Sequence, residues 1–318
     1  MDSKHSAENI CPPERLRVAV AICTYQRNEA LARLLGSLAR LARLNANDLS
    51  LGVVVVDDSV EQLARELVLK FSEEFELKAT YRHSGARNIS KARNLAVETA
   101  SEIGDWIAMT DDDCEPGDHW LAELNRVRLA TGAQVVTGPL VRCAPKGSPN
   151  WLVEQPFLNR SRFHGVDGQE MEHAFTNNSI ISARLIREYP DLRFKPEFGR
   201  IGGEDMVFFR QVAKAGHKIC FARHAIVYEN EEPERLTITY QLRRFFWYGN
   251  TSIQTSLQQG VTRPRLAVHS LATIIRAILL PFSRMTQGKK PQSLYSLALV
   301  IEGAGKLAGV LGIRISHR

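Results

Sequence analysis

The sequence predicts an α/β protein, a doubly wound and mostly parallel sheet followed by a helical, membrane-associated C-terminal extension. Two observations carry the prediction. Between residues 16 and 110, near-continuous apolar runs alternate with segments whose leucines recur at helical spacing. Strands buried on both faces and joined by right-handed helical crossovers have this pattern. The charge is also divided along the chain. Residues 261–318 hold nine of the 41 Lys and Arg but one acid, so they carry eight net positive charges and leave residues 1–260 at −2. The expected organisation is a polar, disordered tail over 1–15, an α/β domain over 16–260 and a basic amphipathic tail over 261–318.

The elements follow in order. "LRVAVAIC" (16–23) predicts the first buried strand, and "NEALARLLGSLARLARL" (28–44) an amphipathic helix that packs its leucines on the sheet. "LGVVVVDD" (51–58) and "VEQLARELVLKF" (60–71) repeat the unit. "LKATYRH" (77–83), "KARNLAVETA" (91–100) and "GDWIAMT" (104–110) continue it. At 318 residues, 44 % apolar and 24 % charged, the chain has ordinary globular values and room for a full-sized core. Five scattered cysteines without a CxxC pair argue against a disulfide framework or a zinc site. The N-terminal "MDSKHSAENICPPERLR" lacks the apolar stretch of a secretory signal, which predicts a cytoplasmic protein. The basic surplus belongs to the tail, so nucleic-acid binding by the body is not expected.

In doubly wound sheets, ligands bind outside the carboxyl ends of the strands. Three ends are polar here: "TYQRNE" after the first strand, "DDS" after the second and "DDDCE" after the fourth. Thr24, Arg27, Asp57, Asp58 and the run Asp111, Asp112, Asp113 are therefore expected on one crevice. No GxGxxG and no Walker lysine loop is present, which excludes a dinucleotide fingerprint and a P-loop. A nucleotide held partly by carboxylates fits, with Mg²⁺ or Mn²⁺ offsetting phosphate charge through oxygen ligands. A solvated turn before the next helix would give the same three aspartates. Farther on, "GGED" (202–205) combines two glycines that permit a sharp turn with Glu204 and Asp205 in the first turn of a helix.

These strings resemble family 2 glycosyltransferases of GT-A fold. "VAICTYQRNEALARLLGSL", "VVVVDDS", "NISKARNLAV", "WIAMTDDDCEPGDHWL", "TNNSIISARLI" and "FGRIGGEDMVFFRQVAKAG" match in order and spacing over about residues 16–250. The "NIS-ARN" and "GR-GGED--FF" strings look most like the bacterial exopolysaccharide enzymes of the succinoglycan type. The resemblance implies that Thr24, Tyr25, Arg27 and Glu29 contact the nucleotide, and that Asp57 or Asp58 reads its uracil–ribose end. It implies Arg93 near the diphosphate, with Asp111 and Asp113 as outer members of a metal-binding DxD around the variable Asp112. Asp113 leads as the direct ligand. Asn177 falls in the matching "TNN" string on the substrate side, Glu204 in the acceptor-side motif, and Asp205 would be the catalytic base. Direct attack with one base implies inversion at the anomeric carbon. The donor implied is a nucleotide-diphosphate sugar, most simply a UDP-sugar, and the acceptor a saccharide or lipid-linked saccharide.

Two departures from the pattern stand out. Many members carry a metal-binding histidine near the end of the strand after the ED helix; here that strand reads "KICFARHAIVYENEE" (218–232), with Tyr228 at the aligned position, Glu229 beside it and His224 four residues earlier. "YQLRRFFWYGN" (240–250) resembles a Q-x-x-R-W element but has Phe245 for the tryptophan; Gln241, Arg244 and Trp247 are candidates to line an acceptor channel. Addition of a single sugar is expected, because the bundle of spans of a processive polymerase is lacking. The apolar segments 265–282 and 292–313 are interrupted by Arg276, and by Glu302 and Lys306. They predict interfacial helices on an anionic membrane, at the cytoplasmic face of the bacterial inner membrane, peripheral or re-entrant. Core helices would be the alternative. A sugar nucleotidyltransferase or a catalytically silent scaffold of the same fold are the rival functions; donor hydrolysis to nucleoside diphosphate separates them.

Overall fold

The computed structural model describes residues 15–158 and 165–316. Apart from Arg15, the polar tail expected over 1–15 lies outside the described residues. The first half alternates as expected: β1 (Leu16–Thr24), α1 (Asn28–Leu44), β2 (Leu49–Asp57), α2 (Arg65–Lys70), β3 (Ala79–His83), α3 (Ile89–Ile103) and β4 (Trp106–Met109). Then come β5 (Cys114–Pro116), α4 (Trp120–Thr131), β6 (Val135–Thr137), β7 (Leu140–Cys143), α5 (Asn150–Val153), β8 (Ser179–Ser182), α6 (Ala183–Glu188) and α7 (Glu204–Lys214). β9 (Ile219–Phe221), β10 (Val227–Asn230), α8 (Ile238–Gln258), α9 (Arg263–Thr286) and α10 (Ser293–Val310) complete the chain.

The main sheet has seven strands in the order β3-β2-β1-β4-β8-β6-β9. It is parallel except for β8, which runs antiparallel to both β4 and β6. Every residue of β2 is buried, as its run of valines predicts for a central strand. The register pairs Thr24 with Asp57 and Ala21 with Met109, so the polar residues after β1, β2 and β4 leave the sheet on one edge. Leucines 31, 34, 35, 38 and 41 of α1 are all buried on one face of the sheet. Ala92, Ala96, Val97 and Ala100 of α3 pack on the other with Phe208, Phe209 and Val212 of α7. A second, three-stranded sheet, β5-β10-β7, stands over the polar edge.

Three expectations change. The second helix is only Arg65–Lys70, because Asp57 accepts the backbone N–H groups of Ser59 and Ala64 (2.9 Å each) and holds the preceding residues as a turn. The strand read over 218–232 breaks into β9 and β10, in different sheets, with His224 exposed between them. In β10 the alternation points Tyr228 outward, 40 % exposed, and turns Glu229 inward. The C-terminal helices also differ from the sequence picture. Both are long and apolar enough, by length and composition alone, to cross a membrane. Glu302 and Lys306, which interrupt the apolar run in sequence, are inside the helical layer and pair at 3.4 Å.

Candidate active site

The aspartate run closes β4 and enters β5 beneath the loop after β1. Thr24 donates to Asp112 Oδ2 at 2.8 Å, and Arg27 Nη1 reaches Asp112 Oδ1 and Asp113 Oδ2, each at 3.1 Å. Arg27 occupies the N-cap position of α1 after Gln26, whose φ of 55° turns the chain sharply out of the strand. Asp111 is the most open of the three and accepts from Arg93 Nη2 at 3.1 Å. Arg93, on α3, also pairs with Glu204 at the start of α7, so one guanidinium joins the DDD run to the GGED loop. Tyr25 is half-buried and Glu29 exposed at the crevice rim. Asp57 and Asp58 are buried; Asp57 is engaged by its own loop and Asp58 accepts the Ala86 N–H at 3.1 Å.

Asp205 follows Glu204, the carboxylate that Arg93 holds, in the first turn of α7. Gly202 and Gly203 both have positive φ (79° and 83°), a region that favours glycine, and they aim α7 at the crevice. Burial pushes the Asp205 carboxyl up to about 7, with Glu204 adding repulsion and Arg93 opposing it. Burial likewise raises Asp112 to about 6, against the pull of Arg27. A thiol at the floor, Cys23, is pushed by burial to about 12, so it remains protonated and plays no nucleophilic part.

Sequence reasoning missed what stands behind Asp113. Arg235, in the turn before α8, places Nη2 at 3.0 Å from the same Oδ2 that Arg27 holds. Arg235 belongs to a network of Arg142, Arg244, Glu229, Glu231 and Tyr248 that ties β7 and β10 to α8. Burial would raise Glu229, but Arg142, Arg244 and Arg235 hold it below the usual carboxylate range. Gln241 and Arg244 sit inside this network: the Gln241 amide donates to the Arg235 carbonyl (2.7 Å) and Arg244 pairs with Glu231 (2.6 Å). Trp247 stacks on Tyr248 beside them. Asn177 is half-buried, while its neighbour Asn178 is fully buried, accepting from Trp120 and donating to Pro139 and Ala225. No periodicity distinguishes the two asparagines in sequence, and nothing in "EEPERLT" marked Arg235.

The donors at Asp111 and Asp113 are oxygens only, which suits a hard divalent cation. Around them seven carboxylates (Asp111, Asp112, Asp113, Glu204, Asp205, Glu229, Glu231) face five guanidiniums (Arg27, Arg93, Arg142, Arg235, Arg244). Among the described residues, no three His, Cys, Asp or Glu side chains already converge on a point. The residues fit an ion that takes part of its shell from a bound diphosphate and water.

A mostly parallel sheet with an acidic crevice at its strand ends, joined through Arg93 to a second acidic motif, is the arrangement of a nucleotide-binding α/β protein. The chain belongs to glycosyl transferase family 2, whose model matches residues 19–190, and it is a glycosyltransferase. It is 32 % identical over 244 residues to the succinoglycan biosynthesis protein ExoM of Rhizobium meliloti (strain 1021), covering 76 % of this chain and 75 % of that protein. Its fold resembles the mannosyltransferase PcManGT from Pyrobaculum calidifontis in complex with GDP-Man and Mn²⁺, with TM-score 0.62, 16 % identity, and 95 % and 89 % of the two chains covered. It also resembles S. aureus TarS 1-349 in complex with UDP-GlcNAc, with TM-score 0.52, 15 % identity, and 93 % and 92 % covered. At these identities the structural likenesses establish a shared GT-A fold.

Proposed function

We propose that the chain transfers one sugar, with inversion, from a nucleotide-diphosphate sugar, most simply a UDP-sugar, to a saccharide acceptor carried on a lipid. The setting is bacterial surface or exopolysaccharide synthesis at the cytoplasmic face of the inner membrane. The observation that carries this reading is that Arg93 joins Asp111 of the aspartate run to Glu204, the residue before Asp205, so that two acidic motifs meet at one crevice. A leaving diphosphate and an attacking hydroxyl need separate helpers, and the two motifs would supply them. The ExoM relative supports the polysaccharide setting, and the nucleotide sugars held by the structural neighbours support the donor class.

Tyr25, Arg27, Glu29 and one of Asp57 and Asp58 would hold the nucleotide, with Asn177 on the sugar side. The Arg27 side chain, 41 % exposed, has room to turn from Asp113 toward a diphosphate. Arg93 is kept charged by Glu204 and Asp111 and would orient the diphosphate. Asp111 and Asp113 would hold Mg²⁺ or Mn²⁺, which supplies Lewis-acid stabilisation of the leaving group. Asp205, ionised above about pH 7, would take the acceptor hydroxyl proton as that oxygen attacks. Incubation with UDP-glucose, UDP-galactose, GDP-mannose or dTDP-rhamnose and Mn²⁺ tests the reading. Release of nucleoside diphosphate is expected. Formation of nucleoside triphosphate and sugar 1-phosphate, only when pyrophosphate is added, would indicate a nucleotidyltransferase, and no turnover with any donor would favour a silent scaffold.

A further inference from the structure

We propose that the outward face of α9 is a docking surface for an anionic lipid bilayer, on which the helix lies in the plane of the interface instead of crossing. Val268, Leu271, Ile275, Ile278, Leu279, Phe282 and Met285 are all exposed. At 100° per residue they fall within an arc of about 120°, turned away from the side of the buried Leu266, Ser270 and Ala277. Seven large apolar side chains on one helix form a continuous stripe, where isolated exposed leucines would need no explanation. Arg265, His269 and Arg276, all exposed, line one flank, and exposed Lys289 and Lys290 follow the C-terminal end. An apolar stripe with a basic flank matches a surface of acyl chains under anionic headgroups. A second copy of the same basic face would meet it with like charge.

The packing beneath the stripe decides between lying and crossing. α9 is fixed to α10: a Cβ at Gly303 would stand 2.3 Å from Ile274, Ser296 bonds the Ala277 carbonyl, and Lys306 reaches Thr273 at 3.3 Å. α10 is fixed to α8 as closely, since a Cβ at Gly249 would be 2.0 Å from the Glu302 carbonyl and one at Gly305 1.9 Å from the Phe246 carbonyl. α8 in turn carries Arg244 of the buried ion-pair network. α9 cannot enter a bilayer as a span without leaving α10, and α10 cannot follow without pulling α8 and its charges from the domain. Arg276 near the middle of α9 is costly at a bilayer centre and at home among headgroups.

The same stack relates the surface to the acceptor reading, although the docking claim stands whichever sugar is moved. Thr251 on α8 donates to the Ile201 carbonyl at 2.8 Å, and Thr251 and Thr255 abut Gly203. The Asp205 loop is therefore mounted on the helical layer that faces the lipid, which suits an acceptor arriving on a lipid carrier.

Flotation of the full chain with vesicles of phosphatidylcholine, alone or mixed with phosphatidylglycerol, tests the proposal. The chain should float with the anionic vesicles, partly dissociate as salt is raised, and be released by alkaline carbonate. Ile275→Asp with Phe282→Asp should lower the bound-to-free ratio by roughly tenfold or more, each side chain contributing its share of apolar burial. Both positions are more than half exposed, so the fold should persist, and unchanged donor hydrolysis by this variant would confirm it. Arg276→Glu should reduce the preference for phosphatidylglycerol. Indifference to anionic vesicles, concentration-dependent self-association abolished by the same aspartates, or resistance to carbonate extraction would each overturn the proposal. Failure of donor hydrolysis with flotation intact would count against the catalytic reading alone.

Discussion

Replacing Asp205 by asparagine removes the proposed base while keeping its shape and the Met206 N–H contact, which an amide oxygen can accept. Donor and metal should still bind, because Asp205 pairs with neither Arg93 nor the aspartate run, whose Asp111 is held by Arg93. Transfer should fall by roughly 10²–10⁴, the typical worth of a positioned general base. The structure also sets the pH dependence. With the carboxyl pushed to about 7 by burial and by Glu204, only about a tenth is ionised at pH 6 and about a hundredth at pH 5. Wild-type kcat/KM should therefore rise about tenfold per pH unit below 7 and level off above it. Glu204→Gln removes the like charge next door and should move that rise to lower pH. The sign of the linked stability effect is opposite to that of an ordinary salt-bridged carboxylate. Since the folded state binds the proton more tightly than the unfolded one, the group's contribution declines as pH rises from about 3.8 to about 7. Asp205→Asn should consequently melt no lower than wild type at pH 8. Initial rates across pH 5–9, nucleotide titration and thermal melts measure all three. A flat pH profile, or a loss of donor affinity equal to the loss of rate, would refute the assignment of the base.

Asp113→Asn should abolish turnover and weaken donor binding with the fold intact, and EDTA should do the same to wild type; undiminished rates in EDTA would remove the metal from the account. Arg235→Met frees Asp113 Oδ2 of one of its two guanidiniums, so Mn²⁺ binding without nucleotide, followed by electron paramagnetic resonance, should tighten. Unchanged or weaker binding would mean Arg235 does not compete with the ion. Gly203→Ala combines a positive φ with a Cβ 2.5 Å from Thr255; it should cost about 1–3 kcal/mol of stability, read by denaturant titration, and depress transfer more than donor binding. Gly305→Ala forces α10 off α8 and should lower the melting temperature by several degrees, together with flotation on anionic vesicles.

The first half of the chain was legible because its periodicities are strong. The helix read over 28–44 is α1 residue for residue, and the valine run of β2 could only be a strand buried on both faces. Polar residues at the ends of β1, β2 and β4 had to share an edge once the strands were parallel, so the crevice followed from topology. Short segments fared worse. α2 shrank because a side chain, Asp57, took backbone donors that the helical pattern assumed free. β9 and β10 were fused in the reading because three- and four-residue strands carry too few side chains to show a period.

By its order of residues alone, the chain determined the alternating sheet, the acidic strand ends, the glycine pair before Glu204 and Asp205, and the basic tail. Those features depend on local spacing and composition, which act over a few residues. The tertiary structure decided what depends on distance through space. It turned Glu229 inward and Tyr228 out, brought Arg235 from more than a hundred residues away onto Asp113, and joined Asp111 to Glu204 through Arg93. It also put Glu302 and Lys306 of α10 inside the helical layer and left Arg276 of α9 on the flank of an exposed apolar stripe. Charge pairing and desolvation are set by which groups meet and how deeply they are buried. The sequence lists those groups, and only the packed fold places them.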